Sequence, residues 1–311
     1  MMNTQAPKYK SYSTLRTVST VFAYVLLVIL AVIWLYPLLW IVVSSFVVQA
    51  DGGGPTIVPS TYFPDGKQYV FGIQNYINLF TSGYSNPVTN RYKFYFLEWF
   101  GNTLFVAVFS CIISTAFTLM VAYVMSKLQF SFRKTYLNIA LIIGLFPGFM
   151  SMIAIYFILK AIGLTGSEYG LWALILCNSA GAGTGFYVAK GFFDVVPNSL
   201  IESARLDGAT NAQIFWHIIL PMSKPIVIYQ ALMAFTGPWM DFIFAKVILG
   251  EKPETWTVSV GLYNAMFGAQ ADTSVFSVFA AGCVCVAVPI VTLFMFLQKY
   301  YVEGVTAGSV K

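Results

Sequence analysis

Long apolar runs alternate with short polar stretches along this chain. A membrane-crossing helix needs about 20 predominantly apolar residues. Six runs reach that length, near Val21–Phe46, Phe100–Met125, Tyr136–Leu159, Tyr169–Val188, Ile226–Leu249 and Val275–Leu297. The pattern predicts an all-α integral membrane protein with six transmembrane helices. The first run follows basic residues and precedes Val48-Gln49-Ala50, as a cleaved signal would. A secretory apolar core spans only about 7–15 residues, so this longer run reads as a retained helix. No hydrophilic stretch is long enough for a second domain. Residues 1–311 read as one transmembrane domain, with polar segments at 1–20, 47–98, 193–224, 250–274 and 298–311.

Composition agrees with the pattern. Hydrophobic residues make up 58% of the chain and charged residues 9%, against about 25% charged in a soluble domain. Charge sets the orientation. With the N-terminus inside, the inner segments hold Lys8, Lys10, Arg16, Lys127, Arg133, Lys134, Lys190, Arg205, Lys224, Lys299 and Lys311. The outer segments hold Lys67, Arg91, Lys93, Lys160, Lys246 and Lys252. Basic residues in short loops mark the cytoplasmic side, so both termini and the 193–224 loop are expected to be cytoplasmic. The net charge of +5 is thereby a topology signal. No basic stripe gathers on one soluble face, so nucleic acid is not an expected partner. Cys111, Cys177, Cys283 and Cys285 all fall inside predicted spans and read as small packing residues, not as a disulfide or metal set.

One polar insert interrupts the apolar pattern between Pro197 and Pro225. Ser199-Leu-Ile-Glu202 fits a capping box, in which hydroxyl and carboxylate satisfy exposed backbone donors reciprocally. Thr210-Asn-Ala-Gln213 repeats the device. Asp207-Gly208 between them is a turn dipeptide, because glycine takes positive φ without steric cost. Pro221 is expected to close the unit, since it cannot donate to a helix ladder. In the second short helix Ala212, Phe215, Trp216 and Ile219 fall at helical spacing as one apolar stripe, with Asn211, Gln213 and His217 on the other face. A helix this short needs a surface to pack on. The ends of its own bundle, the lipid interface and another protein all satisfy that need. An interfacial hairpin with no partner would show the same caps. A DNA-binding helix-turn-helix has similar local grammar, but tethering and sparse basic residues argue against it.

Glu202-Ser203-Ala204, Asp207-Gly208-Ala209, Phe215 and Pro221 resemble the EAA loop of permease subunits of ATP-binding-cassette importers, with Ser203 in place of the usual alanine. The resemblance implies a type I importer fold and a coupling helix that docks in a cleft of a cytoplasmic ATPase. It implies that Glu202 pairs with a basic residue of that ATPase, that Gly208 permits the turn, and that Phe215 and its neighbours fill the socket. Tyr36-Pro-Leu-Leu-Trp40 with Ser44-Ser45-Phe46, Trp99-Phe-Gly-Asn102, Gly237-Pro-Trp-Met-Asp-Phe-Ile-Phe-Ala-Lys246 and the tail Tyr301–Lys311 are similar to segments of the carbohydrate branch. Within that branch they are most similar to the smaller permease subunit of maltose and maltodextrin importers. The partners so implied are a second permease, two ATPase subunits, an extracellular sugar-binding protein and membrane lipid. ATP and magnesium would belong to the ATPase, with no cofactor in this chain. In the maltose system the companion permease holds the sugar, so no residue here is assigned to substrate. The tail in that system reaches into the ATPase dimer.

The remaining features leave more than one reading open. The 47–98 loop is long enough to expect a function beyond connection. It carries Tyr62, Phe63, Tyr69, Phe71, Tyr76 and Tyr84 and the breaker Gly52-Gly53-Gly54-Pro55. Its aromatics suit sugar stacking, interfacial anchoring or local packing. The 250–274 loop holds Trp256, Tyr263 and Phe267. The resemblance makes it a probe of the binding protein's sugar cleft; without the resemblance it is a capping loop. Asp241, in the outer third of the fifth span just after Gly237-Pro238 is expected to break the helix, is expected to face a paired lysine or water rather than substrate. Pro147-Gly148 is expected to break the third span, lining a cavity or making a plain kink. Gly181-Ala-Gly183-Thr-Gly185 has the spacing of close helix packing. The chain has no phosphate-binding loop, no zinc constellation and a single histidine, so it is not read as an enzyme and an external motor is expected. Rival classes are a secondary transporter, which needs intramembrane charges and an inverted repeat, and a membrane scaffold that moves no solute. A permease for another sugar or a non-sugar solute is the nearer alternative.

Overall fold

The structure, a computed structural model, describes residues 10–49, 69–81, 84–85, 93–166, 168–181, 185–268 and 275–307. Three helices in it are long and apolar enough to cross a membrane. They lie within α1 (Lys10–Ser45), α3 (Phe96–Lys127) and α14 (Phe276–Ala307), with α2 (Gln74–Phe80) between the first two. The other three predicted spans are interrupted, each at residues that weaken a helix. Arg133–Gly144 (α4) and Gly148–Ala161 (α5) meet at 98° across Pro147, so the break expected there is far sharper than a kink. The fourth run divides into α6 (Gly170–Ala180) and α7 (Tyr187–Val195).

The division between α6 and α7 revises the expectation for the glycine-rich segment. Gly181 caps the end of α6, and a Cβ placed on it would meet nothing within 4 Å. Gly181 therefore ends a helix instead of packing one closely, as the high backbone entropy of glycine favours. Gly183 lies outside the described residues.

The fifth run is α11 (Lys224–Met240) followed by α12 (Ile243–Leu249). Pro238 lies inside α11, and the chain breaks three residues later at Asp241. The Asp241 carboxylate accepts from the backbone N–H of Phe244 at 3.2 Å, and its carbonyl accepts from Ser259 Oγ at 2.6 Å. Of the expected lysine or water, no lysine pairs with Asp241 among the described residues. Helix α12 begins at a residue without a capping side chain, so the carboxylate satisfies its first donors instead. The nearby Lys246 lies over the Trp256 ring at 4.5 Å and donates to Asn264.

Helix α3 is the axis of the bundle. Thr103, Ala107, Ser110, Ser114, Thr118 and Ala122 recur along it every three or four residues, and all are buried. Small residues at that spacing let α6, α7 and α11 approach it closely. Two cores flank its ends. One gathers Phe94, Phe96 and Trp99 with Ile248, Val258, Val260 and Val278. The other gathers Leu119, Ala122 and Tyr123 with Phe186, Phe193 and the polar insert.

At the first of these ends the chain makes a folded cap. Strands β1 (Val47–Gln49) and β2 (Tyr69–Phe71) pair antiparallel, Val48 opposite Val70; β3 (Tyr84–Ser85) pairs with β4 (Lys93–Phe94). Asn75 of α2 is buried and donates to the carbonyls of Ser45 and Val47, both at 2.9 Å, which satisfies the end of α1. Tyr76 shares a hydrogen bond with Ser45, so this aromatic serves local packing. Tyr62, Phe63 and Gly52–Pro55 lie outside the described residues.

The 250–268 stretch is likewise a cap, with α13 (Val258–Phe267) deeply packed against α3 and α14. Trp99 Nε1 donates to the Pro253 carbonyl at 2.7 Å, and Asn102 donates to the carbonyls of Glu254 and Trp256. Trp256 is buried under Lys246 with its indole N–H on the Gly250 carbonyl. Trp256 thus caps the bundle, while Tyr263 and Phe267 stay exposed. Positions 269–274 lie outside the described residues.

Candidate functional site: the polar hairpin

The insert folds as two short helices on the end of the bundle opposite the cap. The first, α8, runs Asn198–Leu206. Pro197 precedes it at φ −58°, ψ 131°, and no side chain caps it. Ser199 thus lies inside the first turn, and the capping box expected with Glu202 does not form. The physical reason is two residues of register: Pro197 takes the cap position and helical geometry begins at Asn198, which moves the hydroxyl of Ser199 off the cap position. Glu202 is left exposed, with no ion pair among the described residues.

The turn follows the sequence. Gly208 has φ +85°, its N–H meets the Arg205 carbonyl at 3.1 Å, and the Ala209 N–H meets the Ala204 carbonyl at 2.9 Å. These two bonds make a Schellman ending, which requires a left-handed residue at the position glycine fills. Ala204 and Ala209 pack together into the second core. The second capping box forms as expected. Thr210 Oγ1 accepts from the Gln213 N–H, and the Gln213 side chain accepts from the Thr210 N–H at 2.8 Å.

The helix that starts there is irregular. A short α9 (Asn211–Ile214) widens into a π turn at Phe215–Ile219 and tightens again in α10 (Leu220–Met222). Pro221 has no N–H for the His217 carbonyl, and its ring would clash with that carbonyl in an α-helix; a π turn just before it relieves both problems. Pro221 consequently does not close the unit. The chain continues to Ser223 and turns by 88° into α11.

The π turn also rotates the buried face. Ile214, Phe215 and Ile219 are buried, Ala212 is exposed, and Trp216 is 64% exposed. The stripe expected at Ala212 and Trp216 is wrong on both, because a residue added to the turn displaces the 3.6 period. Phe215 packs against Tyr123 of α3 with ring centroids 5.2 Å apart and the rings tilted by 44°. It fills its own bundle, so it is not available to fill a partner's socket. The outward face carries Glu202, Ser203, Arg205, Leu206, Asp207, Trp216 and His217. Leu206 is 89% exposed. A cleft of about 340 Å³ opens beside the turn, lined by Asp207, Gly208, Ala209, Gln213, Ile214, His217 and Ile218.

A set of polar residues that the sequence did not link to the hairpin anchors it. Ser126 Oγ donates to Asp194 Oδ1 at 2.6 Å, and Lys190 Nζ meets Asp194 Oδ2 at 2.6 Å. Lys127 Nζ donates to the Val196 carbonyl at 2.7 Å and to Asn198 Oδ1 at 3.1 Å. The only local signal is Lys190 and Asp194 at i, i+4 spacing; the rest of the set is far apart in sequence.

Comparison with known proteins fits this architecture. The family described as "Binding-protein-dependent transport system inner membrane component" matches residues 119–306, which contain the whole hairpin. The galactooligosaccharides transport system permease protein GanQ of Bacillus subtilis is 32% identical, covering 95% of this chain and 97% of its own. The maltodextrin transport system permease protein MdxG of the same organism is 31% identical over 96% and 99%, and MalD of Streptococcus pneumoniae 33% over 93% and 94%. A bacterial importer of the acidic polysaccharide alginate superposes with a TM-score of 0.62 at 18% identity, covering 94% of this chain and 98% of that one. What the helices and the hairpin define is a membrane permease subunit. The chain belongs to the binding-protein-dependent transport system inner membrane component family.

Proposed function

We propose that this chain forms half of the membrane pathway of an ATP-driven oligosaccharide importer and receives the ATPase stroke through its polar hairpin. The observation that carries the reading is the hairpin's division into a face packed on the bundle and a face with Glu202, Leu206 and Trp216 exposed. An acidic group exposed on the same hairpin as large apolar side chains suits a cleft with a basic residue in its wall. The basic residues of the short loops favour a cytoplasmic hairpin and cytoplasmic termini. Six passages follow if α4 with α5, α6 with α7, and α11 with α12 each count as one interrupted passage.

Among the docking residues expected from the sequence, Glu202, Ser203, Asp207 and Gly208 stay on the outward face. Ala204, Ala209 and Phe215 belong to the packed face, and Pro221 to the bend. The oligosaccharide class rests on relatives of nearly full length whose named cargoes are galactooligosaccharides and maltodextrin. A second permease, two ATPase subunits and an extracellular binding protein complete the proposed assembly, with ATP and magnesium on the ATPase.

The test is mild-detergent purification of the tagged chain from its native membranes, followed by reconstitution and uptake of labelled malto- and galacto-oligosaccharides. The reading expects a second permease and an ATPase to co-purify, and Glu202→Ala to weaken ATPase recovery. A chain recovered alone, or an assembly that imports neither sugar, overturns it.

A further inference from the structure

Helix α3 grips both ends of the molecule. Its 32 residues correspond to about 48 Å at 1.5 Å per residue. At one end Trp99, Asn102 and Thr103 hold the 253–258 segment, the last through the Val258 N–H at 2.8 Å. At the other end Ser126 and Lys127 hold the segment that leads into the hairpin.

That inner joint needs holding. Between α7 and α8 the backbone passes through Val196 and Pro197, both extended at ψ 125° and 131°. Pro197 has no N–H with which to continue a ladder, so the joint would otherwise be a natural pivot. Lys127 bridges it: one ammonium donates to the Val196 carbonyl on the α7 side and to Asn198 on the α8 side. Ser126 and Lys190 together occupy both oxygens of Asp194 one turn earlier. Arg133 donates to the carbonyls of Ser126 and Leu128, steadying the end of α3 from which both straps arise.

We infer that Ser126, Lys127, Lys190 and Asp194 are positioning residues: they lock the hairpin to α3 so that a push on the hairpin tilts α3 rather than bending the chain at Pro197. This deepens the proposed function and rests on the coupling reading. With the lock closed, α3 delivers the stroke to the 253–258 cap at its far end. With the lock open, only apolar packing such as Phe215 on Tyr123 ties the hairpin to α3, and less of the stroke reaches the cap.

Two measurements test it. The first places nitroxide labels at Gln129 and Ala212, both exposed, in the full chain in lipid nanodiscs with the four native cysteines replaced. The distance distribution should be narrow in the parent and broad in Lys127→Met. The second reconstitutes the importer and reads labelled maltotriose imported per ATP hydrolysed. Lys127→Met should still hydrolyse ATP, with import per ATP reduced about 10-fold, within the usual range of coupling between sites. Lys127→Arg should recover both readouts, because a guanidinium can donate to both acceptors. If Lys127→Met lowers recovery of the chain, Ser126→Ala removes a single strap and should broaden the distances by itself. Narrow distances in both variants, or unchanged import per ATP, overturn the inference. A parent chain that recruits no ATPase sinks the coupling reading alone, since the distance measurement still judges the lock.

Discussion

The indole ring of Trp99 occupies the space in which any side chain at position 261 would have to sit. Trp99 is fully buried, so the ring has nowhere to retreat, and Gly261 is what allows α13 to lie against α3. Gly261→Ala is expected to destabilise the chain by about 1–3 kcal/mol through overpacking, and Trp99→Ala by about 3–5 kcal/mol through the cavity it leaves. Thermal unfolding in detergent reads both. The double variant should lose less than the sum, because the alanine methyl enters space the ring has vacated. Additive losses would mean that the two positions do not touch.

The neighbours Phe215 and Trp216 should part company. Phe215→Ala empties a packed site and is expected to cost about 3–5 kcal/mol, lowering the melting temperature of the isolated chain. Trp216→Ala and Glu202→Ala remove exposed side chains and should leave that temperature nearly unchanged while weakening ATPase capture. The opposite split would return Phe215 to the docking face.

Gly208 sits at φ +85°. Gly208→Ala should strain the turn by about 1–2 kcal/mol, and Gly208→Asn by less, since asparagine enters the left-handed region more readily. Hydrogen exchange at the Ala209 amide reports the turn directly. Faster exchange in the alanine variant than in the asparagine variant is the expected order; equal rates would remove the conformational argument.

Asp194 gives the lock a pH signature. Burial by itself would raise its carboxyl pKa, but hydrogen bonds from Lys190 and Ser126, with the charges of Lys190 and Lys127, outweigh burial and hold it below its ordinary value of 3.8. A carboxylate depressed on folding contributes its stabilisation in full above the unfolded value and loses it as pH falls through the folded value. The Gln129–Ala212 distances should therefore stay narrow at about pH 5, above the ordinary aspartate range, and broaden only once pH drops below 3.8. Broadening already at the higher pH would show that the carboxylate is not held as described.

What the sequence revealed follows from the range over which each cause acts. Run length announced α1, α3 and α14, and the local chemistry of Thr210, Gln213 and Gly208 announced the turn and the second cap. The end of α6 at Gly181 stayed hidden because hydropathy averages across it, and the break expected at Gly237-Pro238 falls instead at Asp241, since proline is tolerated inside α11. The stripe on the second helix failed at Ala212 and Trp216 because Pro221 imposes a π turn that changes the period upstream of itself. Lys127 and Val196 were out of reach for another reason: they are 69 positions apart, and no local pattern records a contact between a helix end and a carbonyl on another element.

The hairpin writes two messages on opposite sides of the same short stretch. Ile201, Ile214, Phe215 and Ile219 say how it sits on its own subunit; Glu202, Leu206, Trp216 and His217 are exposed, and under the proposed coupling they are what an ATPase would read. Since the two sets share no residue, the address can be rewritten without disturbing the fold. Exchanging only the outward residues for those of another permease should redirect this subunit to another ATPase.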